Sequence, residues 1–228
     1  MTAFLDLQSV SAGYGAKPVL SGLNLTIDRG QCLWIQGSNG SGKSTLLKTV
    51  AGSLALSSGT IIFQGLRIDT LSQVRRHALG IGFMPQSGNI FPSLSTSDFW
   101  RVVHGRSREG FDRRCEELLD MMKPLKVDFD VSLSKLSGGQ RQLAALGAAV
   151  FKRRKLLLLD EPAAGLAADV AEVVYSALRT IVAGGTVCLL VEHEAELARS
   201  ICTRRISLVG GVVLHGDAGD QQIGEIVK

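Results

Sequence analysis

Aromatic side chains are scarce, at 5% of the 228 residues. Surfaces that stack nucleobases need aromatic platforms, so a reader of single-stranded nucleic acid is disfavoured. Charge of one sign is lacking too. The 25 basic and 21 acidic residues leave a net charge of +4, too mild to imply a polyanionic partner. Cysteine is sparse and scattered. Cys32, Cys115, Cys188 and Cys202 form no C-x-x-C pair, so neither a zinc site nor a disulfide framework is suggested. Cys32 and Cys188 fall inside apolar runs and are expected as buried thiols. No apolar run approaches the ~20 residues that span a bilayer. The chain does not open on a basic segment followed by an apolar stretch, so no signal peptide is read. The expectation is a reduced, cytoplasmic protein that takes a membrane role only through partner subunits.

What is present is a large apolar fraction, 45%, enough for one large domain or two small ones. Leu5 to Val10 alternates as a strand does, Gly13-Tyr14-Gly15 marks a turn, and Val19-Leu20 and Leu23 to Ile27 alternate again. Cys32 to Ile35, Gly59 to Phe63 and Ile81 to Met84 read as further strands. Leu156 to Leu159 and Thr186 to Val191 are continuous apolar runs, the mark of strands buried on both faces. Arg205 to Val209 and Val212 to His215, joined by Gly210-Gly211, read as a closing hairpin. Helices are expected over Thr45 to Val50, Arg113 to Met122, Gly139 to Phe151, Ala168 to Ala183 and Glu194 to Cys202. Buried strands alternating with helices predict an α/β fold with a mostly parallel sheet and an N-terminal β layer. The segment from about 87 to 152 is read as an α-helical subdomain inserted between core segments 1–86 and 153–228. Its charges, Arg101, Arg106, Arg108, Arg113 and Arg114 among Glu109, Asp112, Glu116 and Glu117, make either a solvated helical surface or a docking surface. Lys152-Arg153-Arg154-Lys155 complement the C-terminus of the helix before them.

Three motifs carry chemistry. Gly37-Ser38-Asn39-Gly40-Ser41-Gly42-Lys43-Ser44 fits G-x-x-x-x-G-K-[ST], the phosphate-binding P-loop, and stands between a strand and a helix as that motif requires. Its glycines let successive amides turn inward, Lys43 reaches the outer phosphates, the Ser44 hydroxyl suits Mg²⁺, and Thr45 opens the helix whose N-terminus faces the anion. Leu156 to Leu159 runs into Asp160-Glu161. A buried strand ending in a carboxylate is the Walker B pattern, with Asp160 helping to hold Mg²⁺. The next residue leaves the strand on another side, so Glu161 is the candidate for polarising an attacking water. Leu136-Ser137-Gly138-Gly139-Gln140 places a good N-cap and bare glycine amides at a helix start, fitting either a capped helix or a second anion contact. Tyr14 is either a strand-end aromatic or a surface for a base.

With these motifs in this order, LSGGQ at Leu136–Gln140 above all, the sequence resembles the ATP-binding subunit of ABC transporters over essentially its whole length. The resemblance implies a P-loop NTPase core that binds ATP and Mg²⁺. It implies that Tyr14 stacks on adenine, and that Gln86, after Pro85, is the Q-loop glutamine touching Mg²⁺ and the attacking water. Glu161 becomes the catalytic glutamate and His193 the switch histidine on the γ-phosphate. It further implies a head-to-tail pair with a second such subunit, a copy or a different chain, in which Ser137, Gly139 and Gln140 act on the partner's nucleotide. Integral membrane permease subunits, and a position on the cytoplasmic face, follow from the same resemblance. One departure stands out: Ala167 occupies the place of the family's usual loop Asp. Asn89-Ile90-Phe91-Pro92-Ser93-Leu94, the string Leu159 to Leu166 and Val191-Glu192-His193 are similar to the branched-chain amino acid importer ATPases. That similarity implies an accompanying substrate-binding protein. Export cassettes for lipid or haem, and soluble relatives working on nucleic acid or ribosomes, are the alternatives.

Overall fold

The computed structural model describes residues 3–87, 90–105, 110–123, 128–214 and 220–222. Asn89, Arg106, Arg108, Glu109 and His215, named above, lie outside the described residues. The N-terminal alternation builds one antiparallel sheet from β1 (Leu5–Tyr14), β2 (Lys17–Ile27), β4 (Leu56–Phe63) and β5 (Leu66–Arg67), in the order β2-β1-β4-β5. β1 and β2 are longer than their alternation predicted. The register with β2 shifts between Leu7 and Val10, and Ser9 has φ 50°. A bulge there breaks the two-residue period and hides the second half of the strand.

The second sheet holds β3 (Cys32–Gln36), β6 (Ile81–Met84), β7 (Leu156–Asp160), β8 (Val187–Val191), β9 (Arg204–Val209) and β10 (Val212–Leu214), in the order β10-β9-β3-β8-β7-β6. β11 (Asp220–Gln222) pairs with β9. The pairs β3/β8, β3/β9, β6/β7 and β7/β8 are parallel, and β10 and β11 run antiparallel to β9. The parallel strands are wholly buried in β7 and β8, as their continuous apolar runs predicted. Their side chains sort by parity. Cys32, Trp34, Leu157, Leu159, Cys188 and Leu190 enter one apolar core, and Leu33, Ile35, Leu156, Leu158, Val187, Leu189 and Val191 enter another. Each fully buried Leu contributes about 1.5–3 kcal/mol.

The second of these cores is closed by α1 (Lys43–Ala51) and the N-terminal sheet. The first takes in α3 (Thr96–His104), α4 (Phe111–Met122), α5 (Gly138–Val150) and α6 (Ala168–Ala183). α6 spans the predicted range and ends at Gly184-Gly185. α7 (Ala195–Arg199) is shorter than predicted, and α2 (Gln73–Ala78) and β5 were not foreseen. All four thiols are buried. Burial pushes Cys115 up to about 11, and Cys32 Sγ lies 3.3 Å from Cys202 Sγ. Protonated, enclosed thiols of this kind are inert.

Candidate functional site

β3 ends at Gln36, and the chain curls through Gly37–Gly42 before α1 begins. Two glycines are dictated, Gly37 by space and Gly42 by its positive φ. A Cβ on Gly37 (φ 153°) would stand 2.3 Å from the Leu208 carbonyl oxygen, and one on Gly42 (φ 107°) would stand 3.0 Å from Leu20 Cδ2. Lys43 Nζ folds back over the loop and donates to the carbonyls of Gly37 (2.8 Å) and Ser38 (3.0 Å). Ser41 Oγ is buried and has no hydrogen-bond partner among the described residues. α1 carries no side-chain cap and no acidic residue in its first turn. Ser38, Asn39 and Gly40 form the exposed lip, and Thr45 is buried in the helix. An unpartnered buried hydroxyl, a lysine and an uncapped helix start fit a phosphate chain.

The carboxylates arrive from β7. Ser44 Oγ donates to Asp160 Oδ1 at 3.1 Å. Burial raises the Asp160 pKa, against the pull of the Ser44 hydrogen bond. Serine and aspartate oxygens, with phosphate oxygens beside them, are a donor set for Mg²⁺. Among the described residues no three His, Cys, Asp or Glu side chains gather into a metal site of their own. Glu161 turns the other way and holds a left-handed backbone, φ 51°, a region that L side chains seldom adopt outside functional turns. Its amide donates to the Val191 carbonyl at 3.0 Å, which fixes the turn against the end of β8. Glu161 Oε2 accepts from Gln86 Nε2 at 2.7 Å, and Oε1 lies 3.0 Å from His193 Nε2. Three residues 75 and 32 positions apart thus meet at the carboxyl ends of a parallel sheet, where open α/β sheets bind ligands.

Tyr14, Asn39, Gly40, Gly42, Lys43, Ser44, Thr45, Gln86, Glu161 and His193 line one cleft of about 820 Å³. Tyr14, half-exposed at its mouth, has Lys48 Nζ 5.9 Å from its ring centre. Lys17, Pro18, Val19 and Gly210 also line the cleft and were missed. Lys17, the first residue of β2 after the turn that follows Tyr14, is the one whose charge could have signalled it. Ser137, Gly139 and Gln140 do not line this cleft. They open α5 as a capping box, with Ser137 Oγ accepting from the Gln140 amide and Gln140 Oε1 from the Ser137 amide. Gln142 Nε2, one turn on, donates to the Pro162 carbonyl at 2.6 Å and ties α5 to the turn after Glu161.

A P-loop, a serine–aspartate pair and a glutamate on a mostly parallel sheet define a P-loop nucleotide-binding domain. The family model described as ABC transporter matches residues 20–164. The chain belongs to that family, as an ATP-binding subunit. It is 32% identical over 211 residues to the Nod factor export ATP-binding protein I of Rhizobium meliloti. The match takes in 91% of this chain and 62% of that protein, so the chain spans about three fifths of that relative's length. It is 28% identical to the high-affinity branched-chain amino acid transport ATP-binding protein BraG of Pseudomonas aeruginosa, over 94% of this chain and 93% of that one. It is 30% identical to the probable branched-chain amino acid transport ATP-binding protein LivF of Archaeoglobus fulgidus, over 92% and 91%. Among solved structures, an ATP-binding cassette of an ABC transporter superposes with a TM-score of 0.85 at 20% identity, covering 97% of this chain and 92% of that one. A dimeric cassette in a post-hydrolysis state with ADP and Pi gives 0.83 at 24%, covering 97% and 99%. These likenesses define the fold as the ABC ATPase cassette.

Proposed function

We propose that this chain hydrolyses ATP to drive substrate movement by integral membrane permease subunits, working on the cytoplasmic face as half of a head-to-tail cassette pair. The observation that carries the reading is the convergence of Gln86 and His193 on Glu161, beside the Ser44–Asp160 pair. In this mechanism the P-loop amides, Lys43 and Ser41 hold the phosphates, and Tyr14 takes the adenine at the cleft mouth. Mg²⁺ held by Ser44 and Asp160, with Gln86 beside them, supplies charge neutralisation on the phosphates. Glu161 orients and deprotonates the attacking water. His193 and Lys43 stabilise the charge that grows on the γ-phosphate. Ser137, Gly139 and Gln140, turned away from the chain's own cleft, serve the partner's nucleotide, so ATP closes the pair and hydrolysis reopens it. An apolar groove of about 370 Å³, lined by Gln73, Phe83, Met84, Pro85, Phe91 and Val103, opens beside Gln86 and is the natural seat for a permease segment.

Replacing Glu161 with Gln is expected to retain ATP binding and to lose turnover by on the order of a hundredfold or more. Unchanged turnover removes Glu161 from the reaction. For the substrate, BraG and LivF support branched-chain amino acid import, because this chain covers nearly their full lengths. The 32% identity with the Nod factor export subunit favours export as the second reading. Gentle purification of the native complex from detergent-solubilised membranes separates them. Permease subunits with a substrate-binding protein support import, and permease subunits alone support export. Recovery with nucleic acid or ribosomes overturns transport altogether.

A further inference from the structure

β8 ends at Val191, and the next residue, Glu192, is only 7% exposed. A carboxylate at such a place is costly unless its oxygens are met. Each one is. Glu192 Oε2 accepts from the Tyr175 hydroxyl at 2.7 Å. Oε1 accepts from the main-chain amides of His193 at 2.7 Å and Glu194 at 3.3 Å. The Glu192 carbonyl accepts from the Trp34 indole at 2.9 Å. Tyr175 and Trp34 are themselves buried, on α6 and β3. Among the described residues these partners are all neutral donors. An arrangement of this kind is poor value as pure stabilisation, since apolar residues of like volume would fill the space as well or better.

What the arrangement does is local. The carboxylate folds back on the two amides that follow it and fixes the turn that carries His193. The His193 side chain is about half exposed, at 52%, and among the described residues its ring bonds to Glu161 alone. Its direction is therefore set from beneath, by the main chain that Glu192 holds. Tyr175 ties that hold to α6, which begins just after the loop leaving Glu161. Burial and the neighbouring Glu192 raise the Tyr175 pKa, which keeps its hydroxyl a donor.

We propose that Glu192 and Tyr175 are positioning residues for hydrolysis, a buried latch that sets where His193 stands against Glu161 and the γ-phosphate. The proposal rests on the hydrolytic reading above. Tyr175→Phe removes one hydroxyl and keeps the ring's packing. The expected result is a fall in kcat of about tenfold, the scale of one strong hydrogen bond. The KM for ATP is expected to stay within about twofold and the melting temperature to change little, because His193 touches neither the base nor the P-loop. Glu192→Gln, which still offers an oxygen to both amides, is expected to keep most of the activity that Glu192→Ala loses. In a His193→Ala background Tyr175→Phe is expected to cost nothing more. An equal loss in both backgrounds overturns the latch. The carbon-bound ring resonance of His193, followed by NMR, reads the geometry without turnover. It is expected to shift or broaden in Tyr175→Phe, and an unmoved resonance also overturns the latch. A wild-type chain without ATPase activity would overturn the hydrolytic reading instead, and the resonance would still decide the latch.

Discussion

Asp160 is almost wholly enclosed, and burial holds its carboxyl above the ordinary value of 3.8 despite the hydrogen bond from Ser44. Such a group binds its proton more tightly folded than unfolded. Its stabilising contribution is present at low pH and is lost as pH rises from 3.8 through the raised value. At neutral pH the charged carboxyl therefore opposes folding until a cation meets it. Asp160→Asn is expected to melt higher than wild type in metal-free buffer at pH 7, and to lose much of the further rise that Mg²⁺ with ATP gives wild type. Differential scanning with and without nucleotide checks both halves. Lys43, Ser44, Asp160 and Glu161 stand in short motifs whose spacing the sequence displays, and the fold sets Lys43, Ser44 and Glu161 around one cleft with Asp160 bonded to Ser44. Gln86 and His193 followed from the resemblance, and the fold brings both to Glu161. Glu192 was legible only as part of a string, and Tyr175 not at all. They are 17 positions apart and meet only because α6 packs on β8, so no local pattern marks them.

Helices show the same division. α2, α3 and α5 begin on serines whose hydroxyls accept from the amide three residues on, at Ser72, Ser95 and Ser137. α6 begins on Ala167, which has the N-cap backbone, φ −66° and ψ 152°, and no side chain to use it. Ala167→Asp places a carboxylate beside the first-turn amides without moving the backbone. It is expected to stabilise the fold by about 1 kcal/mol, read as a raised urea midpoint at unchanged slope. An unchanged midpoint means those amides are already met. α6, with its clean helical period, and β7, with its continuous apolar run, were legible to within a residue. α2 was not, because its six residues hold too little periodicity, and its key side chain looks like a surface cation. Arg76 is buried and donates to the Thr49, Val50, Leu71 and Asp69 carbonyls. It serves the last carbonyls of α1, a contact that only the folded chain reveals. β2 read as two pieces because Gly22, with φ 59°, interrupts the alternation where the register shifts.

Across the whole molecule, Arg154 clasps the end of α5 to α2. It donates to the Ala149 and His77 carbonyls, and its second Nη reaches His77 Nε2 at 2.7 Å. That ring nitrogen must accept, so His77 is neutral. Burial first, then the charges of Arg154 and Lys152, bring its pKa from 6.5 to about 4. The folded value lies below the unfolded one, so this stabilisation is complete above 6.5 and is lost as pH falls towards 4. Discounted for partial exposure, it is worth about 1–2 kcal/mol. His77→Gln is expected to flatten the acid side of the stability curve by that amount, measured as urea midpoints at about pH 7 and 4.5. An equal slope in wild type and variant refutes it. The broad architecture was legible because the leucine runs and helices alternate as a parallel sheet demands, whereas cross-chain clasps such as this one depend on packing alone. The parity that sorts β7 side chains between two cores has a further consequence for inheritance. The same alternation brings Asp160, the last residue of β7, to Ser44, and Glu161 then turns on its left-handed backbone to Gln86 and His193. A single-codon insertion within the Leu156–Leu159 run would leave every motif residue encoded, yet exchange the two interiors and the side on which Asp160 leaves the strand. Gene copies that have lost or gained one triplet there should be dead, even though every signature motif still reads intact.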